Sequence, residues 1–508
     1  MTLSRQIADE ADSVRNVSAI ASEDRAAPKI HAGGATMKIL VAIASWGTKN
    51  DPYLARLIQE YDSMSFDVDV VVLSNLPKPV GPGAKVFLVD LKGKDPCSLP
   101  FAHKKIFADH LNDYDLFIYS EDDTLITESN IRAYLKACTV LEGNEIAGFF
   151  RFERGTDGLI NYPEVHGPYH WDCQSVRLRK DNVFASFTNE HSACYVLTRD
   201  QLERAISSGG FLVEAHGGKY DLICTAATDP YTQCGFEKVI GISPLEDFLV
   251  HHLPNIYIGT TFGVGESELR SQVQCLAQIA QNGHPPTPLF PVESKLMHRR
   301  FSKDCYEKPQ REIIDAIPHA TKTLLSVGCG SGATEASLVE QGLRVVALPV
   351  DPVFASGARA KGVEVVEGDV ATARTTLEGE QFDCLLVLDV LQIVADPTVV
   401  MSAFVPLLRV GGTVIVRVPV VHRLTTAYRV LRGDQGLKEL GIYETTGIHF
   451  NSRRIVRRWL EKAGLRVVRV ETEMPSSFAK VPRALRRTLH PIWALKMGAR
   501  MVFAATKR

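Results

Sequence analysis

No apolar run in the chain approaches the ~18 residues a membrane helix needs, and the N-terminus carries no signal-peptide hydrophobic region. A spanning segment and a secretory leader are therefore not expected, and the expected setting is the cytoplasm. The ten cysteines include no C-x-x-C pair and no dense cluster. That excludes a disulfide framework and leaves reduced, mostly buried thiols. Excess charge of one sign is also missing: 57 Lys and Arg stand against 59 Asp and Glu. No recognised nucleic-acid module accompanies any basic cluster, so no nucleic-acid partner is expected. No internal repeat is visible. What remains, 508 residues with 45% apolar and 23% charged content, is an ordinary globular composition with ample core. At ~100–200 residues per domain the length predicts two or three domains.

The most informative stretch is Leu324-Leu325-Ser326-Val327-Gly328-Cys329-Gly330-Ser331-Gly332, an apolar run that breaks into three glycines spaced by single residues. Such a run predicts a buried parallel strand whose exit loop meets a nucleotide-like ligand. Glycine is needed there because the turn demands unusual dihedrals and a Cβ would block close approach. Ala333 to Gln341 reads as the following helix, with its N-terminal amides toward the ligand. Gly328, Gly330 and Ala333 also satisfy the looser dinucleotide pattern, so the glycines alone do not choose between cofactors.

The downstream order makes the choice. Arg344 to Val350 is an apolar strand ending at Asp351, and Val363 to Val366 a third ending in Glu367-Gly368-Asp369. Phe382 to Leu388 leads into Asp389-Val390-Leu391, and Gly411-Gly412 turns into Thr413 to Val416. This order resembles the class I S-adenosylmethionine-dependent methyltransferases from about Pro318 to the C-terminus. Ile448-His449-Phe450-Asn451-Ser452-Arg453, the amphipathic stretch through Gly464, and late strands over Arg466 to Glu471 and Met501 to Thr506 match a common ending of that family. The resemblance implies a Rossmann-like seven-stranded domain. It implies S-adenosylmethionine on Gly328, Gly330 and Gly332, its ribose on Asp351, its adenine near Asp369, and Asp389 beside the sulfonium. His422 or His449 is the expected base if the acceptor is a hydroxyl.

A second α/β region precedes it. Lys38 to Ser45, Asp69 to Ser74, Lys85 to Val89 and Leu116 to Tyr119 read as strands, with a helix from Asp51 to Met64. The last strand runs directly into Glu121-Asp122-Asp123. Carboxylates this close repel unless they share a cation, and hard oxygen ligands suit Mg²⁺ or Mn²⁺. The run resembles the acidic motif of glycosyltransferases with the GT-A fold, with Glu in place of the usual first Asp. The resemblance implies a nucleotide-sugar donor whose diphosphate is bridged by a metal on Asp123 and Glu121. His191-Ser192-Ala193-Cys194-Tyr195-Val196-Leu197-Thr198 resembles that family's loop and strand beneath the donor sugar. In Asp247-Phe248-Leu249-Val250-His251-His252 the resemblance implies a late histidine, His251 or His252 and taken as His252, that completes the metal set. Asp247 is the first choice of base, with Asp221 or Asp229 as alternatives. Tyr162 to Asp172 interleaves aromatics with polar groups; Tyr169 and Trp171 are expected against the sugar faces of the acceptor, and a packed surface loop is the plainer reading.

The expected organisation is a flexible leader (1–36), a GT-A-like domain (37–262), a linker and helical connector (263–317) and the methyltransferase domain (318–508). Helices are expected over Glu266 to Gln281, Glu293 to Arg300 and Gln310 to Ile317. The basic C-terminal stretch Lys480, Arg483, Arg486, Arg487, Lys496 and Arg500 reads first as a solvated face. It reads second as a contact with anionic lipid or a lipid-linked glycan at the inner face of the membrane. The two resemblances together imply a bifunctional enzyme that transfers a sugar and a methyl group to one glycan or glycoconjugate, in surface polysaccharide synthesis. The alternative is a methyltransferase with a non-catalytic glycan-binding domain.

Overall fold

A computed structural model describes residues 36–260, 263–284, 286–296, 299–419, 442–473 and 500–507. The leader, His422 and the basic stretch from Lys480 to Lys496 lie outside the described residues. In the first unit the strand Lys38–Ser45 is buried on both sides from Ile39 onward, which is why its sequence is continuously apolar rather than alternating. It pairs in parallel with Asp67–Ser74 and Leu116–Glu121. Ala84–Leu88 extends the sheet beyond Asp67–Ser74, and Cys194–Thr198 closes the other edge antiparallel to Leu116–Glu121. The helix Asp51–Ser63 covers this sheet with Leu54, Leu57, Ile58 and Tyr61, one face at helical spacing. The register sets Glu121 beside Ala44, so the three acids emerge where the central strand also ends.

Two further small sheets complete the unit. Trp171–Arg179, Asn182–Phe187, Glu237–Gly241 and Glu145–Ala147 form one. In the other, Leu249–His252 lies between Phe150–Arg154 and Thr124–Leu125, with His252 opposite Thr124. Tyr169 and Trp171 are core residues, contrary to the expectation of sugar stacking. Trp171 is 0% exposed, with its ring 5.4 Å from Phe150 and 5.2 Å from Phe187, and Tyr169 is buried beneath Lys219 and beside Tyr220. Neither ring has a face left for a ligand.

The second unit is a seven-stranded sheet. Its order is Glu364–Val365, Arg344–Pro349, Thr323–Cys329, Phe382–Leu388, Leu408–Pro419, Arg500–Lys507 and Leu465–Thr472, all parallel except Arg500–Lys507, which runs antiparallel to both its neighbours. The expected terminal antiparallel pair is present, and Arg453–Lys462 packs Val456 and Leu460 inward as its amphipathic pattern predicts.

The expected linker is structured over much of its length. Val264 and Gly265 pair with Tyr162 and Asn161, and the helix Glu266–Asn282 buries Leu269, Leu276 and Ile279 in the core of the first unit. Its other side meets the second unit. Glu268 pairs with Lys361 at 2.9 Å, and Cys275 Sγ lies 3.4 Å from the Pro352 carbonyl. Among the described residues of the helix expected over Glu293 to Arg300, Glu293 to Leu296 are not helical, and tight turns close through Arg299 N to Leu296 O and Ser302 N to Arg299 O. Because Trp171 fills the first unit's core, Trp171→Ala is expected to lower the unfolding free energy by about 3–5 kcal/mol. Urea denaturation of the full chain measures it, and a change below about 1 kcal/mol contradicts the burial.

Candidate functional site

The acidic strand end of the first unit is not a set of equivalent carboxylates. Asp122 is buried and held on both oxygens, accepting from Ser45 Oγ at 2.6 Å and Asn50 Nδ2 at 2.7 Å. Burial pushes it up to about 6 despite these bonds; it ties the neighbouring strand and loop to the acid turn. Asp123 instead faces His252, whose Nε2 lies 3.6 Å from Oδ2. His252 Nδ1 lies 2.6 Å from Oε1 of Glu153, a carboxylate with no exposure, and Glu153 Oε2 accepts from Tyr257 N. An ionised carboxylate can only accept, so Nδ1 carries the hydrogen. In the neutral imidazole, Nε2 then offers its lone pair toward Asp123. Burial acts to lower His252, but Asp123 and Glu153 outweigh it and the net shift is upward. Glu121 lies 3.3 Å from His191 Nε2 and is raised to about 7, by desolvation first and Asp123 second.

A neutral cluster stands beside these acids. His166, His191 and Cys224 bring ligand-type atoms within 4.8 Å of one another. Arg151 lies 3.3 Å from His166 Nε2 and can only donate, which leaves the imidazole hydrogen on Nδ1, 3.8 Å from Cys224 Sγ. Desolvation takes His166 down to about 2, lowers His191 and raises Cys224. A guanidinium at that distance and an occupied lone pair make the cluster a hydrogen-bonded wall, not a cation cage.

The candidate bases separate. Asp247 sits in the turn Leu245–Phe248, ahead of the strand Leu249–His252 and at the opposite end from His252. Its main chain accepts from Asn130 Nδ2, and no contact brings it to the acids. Asp221 caps the helix Leu222–Thr232 through Cys224 N, beside the His166 and His191 pair. Asp229 is fully buried in an ion pair with Lys104. Glu153 and Arg151 escaped the sequence reading, although Phe150-Arg151-Phe152-Glu153 alternates aromatic and charged residues, a sign that charge enters a half-buried strand.

In the second unit the glycine loop forms as expected, with Gly328 at φ 73° and Gly332 at φ 77°. A Cβ on Gly328 would lie 2.8 Å from Val390 and 3.1 Å from the Phe290 ring, and one on Gly330 would lie 2.2 Å from the Cys305 carbonyl. The connector thus lies directly on the loop, and Ser331 N donates to that same carbonyl. Asp351 is buried, caps Pro352–Ala360 through Phe354 N at 3.0 Å, and is raised by desolvation to about 6. Asp369 is exposed and caps Val370–Thr376 through Thr372 N.

Asp389 is the centre of a buried network. Its Oδ2 pairs with Arg417 at 2.6 Å and Arg500 at 3.4 Å, while Oδ1 is buried without a hydrogen-bond partner. Arg417 also pairs with Glu307 and donates to Gln310 Oε1. A lone arginine in Val414-Ile415-Val416-Arg417-Val418 was a legible signal of a buried charge partner. His449 lies with Nε2 2.9 Å from the Val394 carbonyl and stacks on Tyr443, so it secures the loop after Phe382–Leu388. As a donor set these residues fit S-adenosylmethionine: two buried carboxylates for hydroxyls and an ammonium, one with a bare oxygen, and a loop with glycine at every second position. The gap between the loop and Lys303, Cys305 and Glu307 is about 10 Å³, room for one water, so a ligand over Gly330 requires the connector to lift.

Residues 298–470 match a family model described as a methyltransferase domain, and the second unit is a methyltransferase domain. A ubiquinone biosynthesis O-methyltransferase of Stutzerimonas stutzeri (strain A1501) is 30% identical over 132 residues, 23% of this chain and 57% of that protein. The chain therefore spans little more than half the length of that relative. Among solved structures, a SAM dependent methyltransferase from Archaeoglobus fulgidus is 14% identical, with 39% of this chain and 90% of that chain covered and a TM-score of 0.31. The geranyl diphosphate C-methyltransferase of Streptomyces coelicolor A3(2) is 13% identical, with 39% and 76% covered and a TM-score of 0.28.

Arg417 neutralises two buried acids, so Arg417→Leu is expected to cost about 3–5 kcal/mol of folding stability by leaving Asp389 and Glu307 unpaired. Adding Asp389→Asn is expected to recover part of that loss, because the two sites share one interaction. Strictly additive effects in urea denaturation would contradict the network.

Proposed function

We propose that the chain is a bifunctional transferase. Its second unit methylates an oxygen of a glycan or glycoconjugate with S-adenosylmethionine, and its first unit, of GT-A type, adds a sugar to the same acceptor from a nucleotide-sugar donor. The setting we infer is surface polysaccharide synthesis on the cytoplasmic side. The methyl-transfer half rests on the family match across the glycine loop. Gly328, Gly330 and Gly332 would cradle the cofactor, Asp351 would take its ribose hydroxyls, Asp369 lies on the adenine side, and Asp389 Oδ1 would accept from its ammonium. The cofactor supplies an electrophilic methyl group; the protein's part is to position it and exclude water. The ubiquinone-biosynthesis relative is an O-methyltransferase by name, which favours oxygen as the acceptor atom. His449, committed through Nε2 to a carbonyl, positions the loop beside the cofactor.

The sugar-transfer half rests on one observation, the chain Glu153–His252–Asp123. A second carboxylate that fixes a histidine tautomer, so that the free nitrogen faces a first carboxylate, is the arrangement that orients a metal ligand. A divalent cation at this point would take Asp123 and His252 with Glu121 alongside; an imidazole in the set favours Mn²⁺ over Mg²⁺. It would neutralise the departing diphosphate.

Glu153→Gln is expected to weaken Mn²⁺ binding 10–100-fold without unfolding the chain, and Asp123→Ala to abolish Mn²⁺-dependent binding of nucleoside diphosphates in calorimetric titration. Nucleotide binding that is indifferent to Mn²⁺ and to Asp123 would remove the sugar-transfer half and leave methyl transfer standing.

Asp351→Asn separates cofactor binding from folding. Asparagine caps a helix as well as aspartate, so the variant is expected to fold and to bind S-adenosylmethionine at least tenfold more weakly. The folded carboxyl titrates near 6, above its unfolded value. Its protonated form is therefore favoured by folding, and that contribution is lost as pH rises through 6. The variant should match the wild type in stability at pH 4 and exceed it by about 1–3 kcal/mol at pH 8. Urea denaturation at both pH values and a cofactor titration check the pair; unchanged affinity contradicts the ribose role.

A further inference from the structure

Between the two units lies a cavity of about 650 Å³, within the ~300–1,000 Å³ range of ligand pockets and at the kind of domain boundary where they concentrate. It shares Glu307, Gln310 and Arg500 with the Asp389 network and is otherwise lined by residues that neither half-site uses. One wall is the first unit's loop at Val165 and Gly167, another is the connector from Arg299 to Gln310, and a third is Arg500 on the second unit's sheet. The cavity borders the second centre and connects to the first through intervening side chains. Arg500 reaches Asp389 at 3.4 Å, and Glu164, on the opposite wall, accepts from the main chain of His166, whose ring packs on His191 beside Glu121.

Its lining has a sign. Arg299, Arg300, Lys308 and Arg500 stand against Glu164, Asp304 and Glu307. Glu164 is raised by desolvation to about 7, and Glu307 is also raised by desolvation, although Arg417 opposes the shift. Four cations thus face three acids across the cavity. Arg299 keeps a buried Nε without a hydrogen-bond partner, while its Nη1 engages both Glu293 and the Ser294 carbonyl. Arg299 and Phe301 both hold positive φ, 46° and 65°. Such backbone persists where surroundings over-determine it, most often at ligand sites.

We propose that this cavity is the acceptor site of the methyltransferase unit and takes an anionic sugar, one carrying a carboxylate or a phosphate. This rests on the reading of a glycan acceptor above. The site is built from both units: the first unit's loop closes it, the connector supplies the cations, and Arg500 joins it to the methyl-transfer centre. A glycan elongated at the first centre would then reach the second without leaving the protein's surface.

The test uses the full chain, with EDTA present to silence metal-dependent nucleotide-sugar binding. Binding of a glucuronate-terminated disaccharide, glucose 1-phosphate and maltose is measured by titration in the wild type, Val165→Trp and Lys308→Glu, with S-adenosylmethionine titrated in parallel. Neither variant touches the cofactor donor set. The wild type is expected to bind one anionic probe at least tenfold more tightly than maltose, and the probe that binds identifies carboxylate or phosphate. Both variants are expected to weaken it at least fivefold with cofactor affinity unchanged. Maltose binding as tightly as both anionic probes, or an anionic probe unaffected by Val165→Trp, overturns the proposal. Sugar binding without cofactor binding would refute methyl transfer and with it the acceptor role, leaving only a sugar-binding cavity; cofactor binding without sugar binding would refute only this site.

Discussion

A carboxylate delivered to the buried end of a strand must be compensated there, and the local architecture of both units follows from how that is done. Transfer of an unpaired charge into a protein interior costs several kcal/mol. In the first unit Asp122 is met by Ser45 and Asn50, Glu153 by His252 and Tyr257, and Asp229 by Lys104. In the second, Asp389 is met by Arg417. Asp123, whose Oδ2 takes Asn50 Nδ2 at 3.3 Å and lies 3.6 Å from His252, and Asp389, with its bare Oδ1, stand at the two sheet ends.

The second constraint is the connection between the units. The helix Glu266–Asn282 gives one face to the first unit's core and its Glu268 and Cys275 to the helix Pro352–Ala360. His170 of the first unit packs its ring 5.7 Å from Phe354, and Tyr306 of the connector lies 5.3 Å from the same ring. Phe354 is the residue whose amide is capped by Asp351. The proposed ribose ligand is thus held by a helix whose outer side is packed by the other unit.

The order of strands around the glycine loop was legible because each strand has its own apolar run and each exit its own acid or glycine. The same reading failed in the loop before Trp171, where aromatics beside polar groups describe a sugar platform and a folded corner equally well; burial against Phe150 and Phe187 decides for the corner. Glycine and proline after Gln281 marked a real break, yet the helix before it belongs to a core that sequence distance conceals. Glu153 and Arg417 were visible as charges in apolar strands, but their partners lie 99 and 28 residues away. Pairing over such separations is set by sheet order, which the local pattern does not carry.

Arg417 also fixes what happens above the loop. It holds Asp389 on one side and Glu307 and Gln310 of the connector on the other, while Lys303 donates to the Leu388 carbonyl beside Asp389. The connector is therefore clamped to the very strand end that presents the bare Asp389 oxygen. A cation arriving at Oδ1 would share the charge that now draws Arg417 and Arg500 inward, and would leave more of the Arg417 charge for Glu307. In a low-dielectric site such exchanges are worth more than the same contacts in water. The electrostatics that would bind a ligand at Asp389 and those that keep the Cys305 segment over Gly330 are one network, so occupancy of the loop and the position of its cover cannot vary independently.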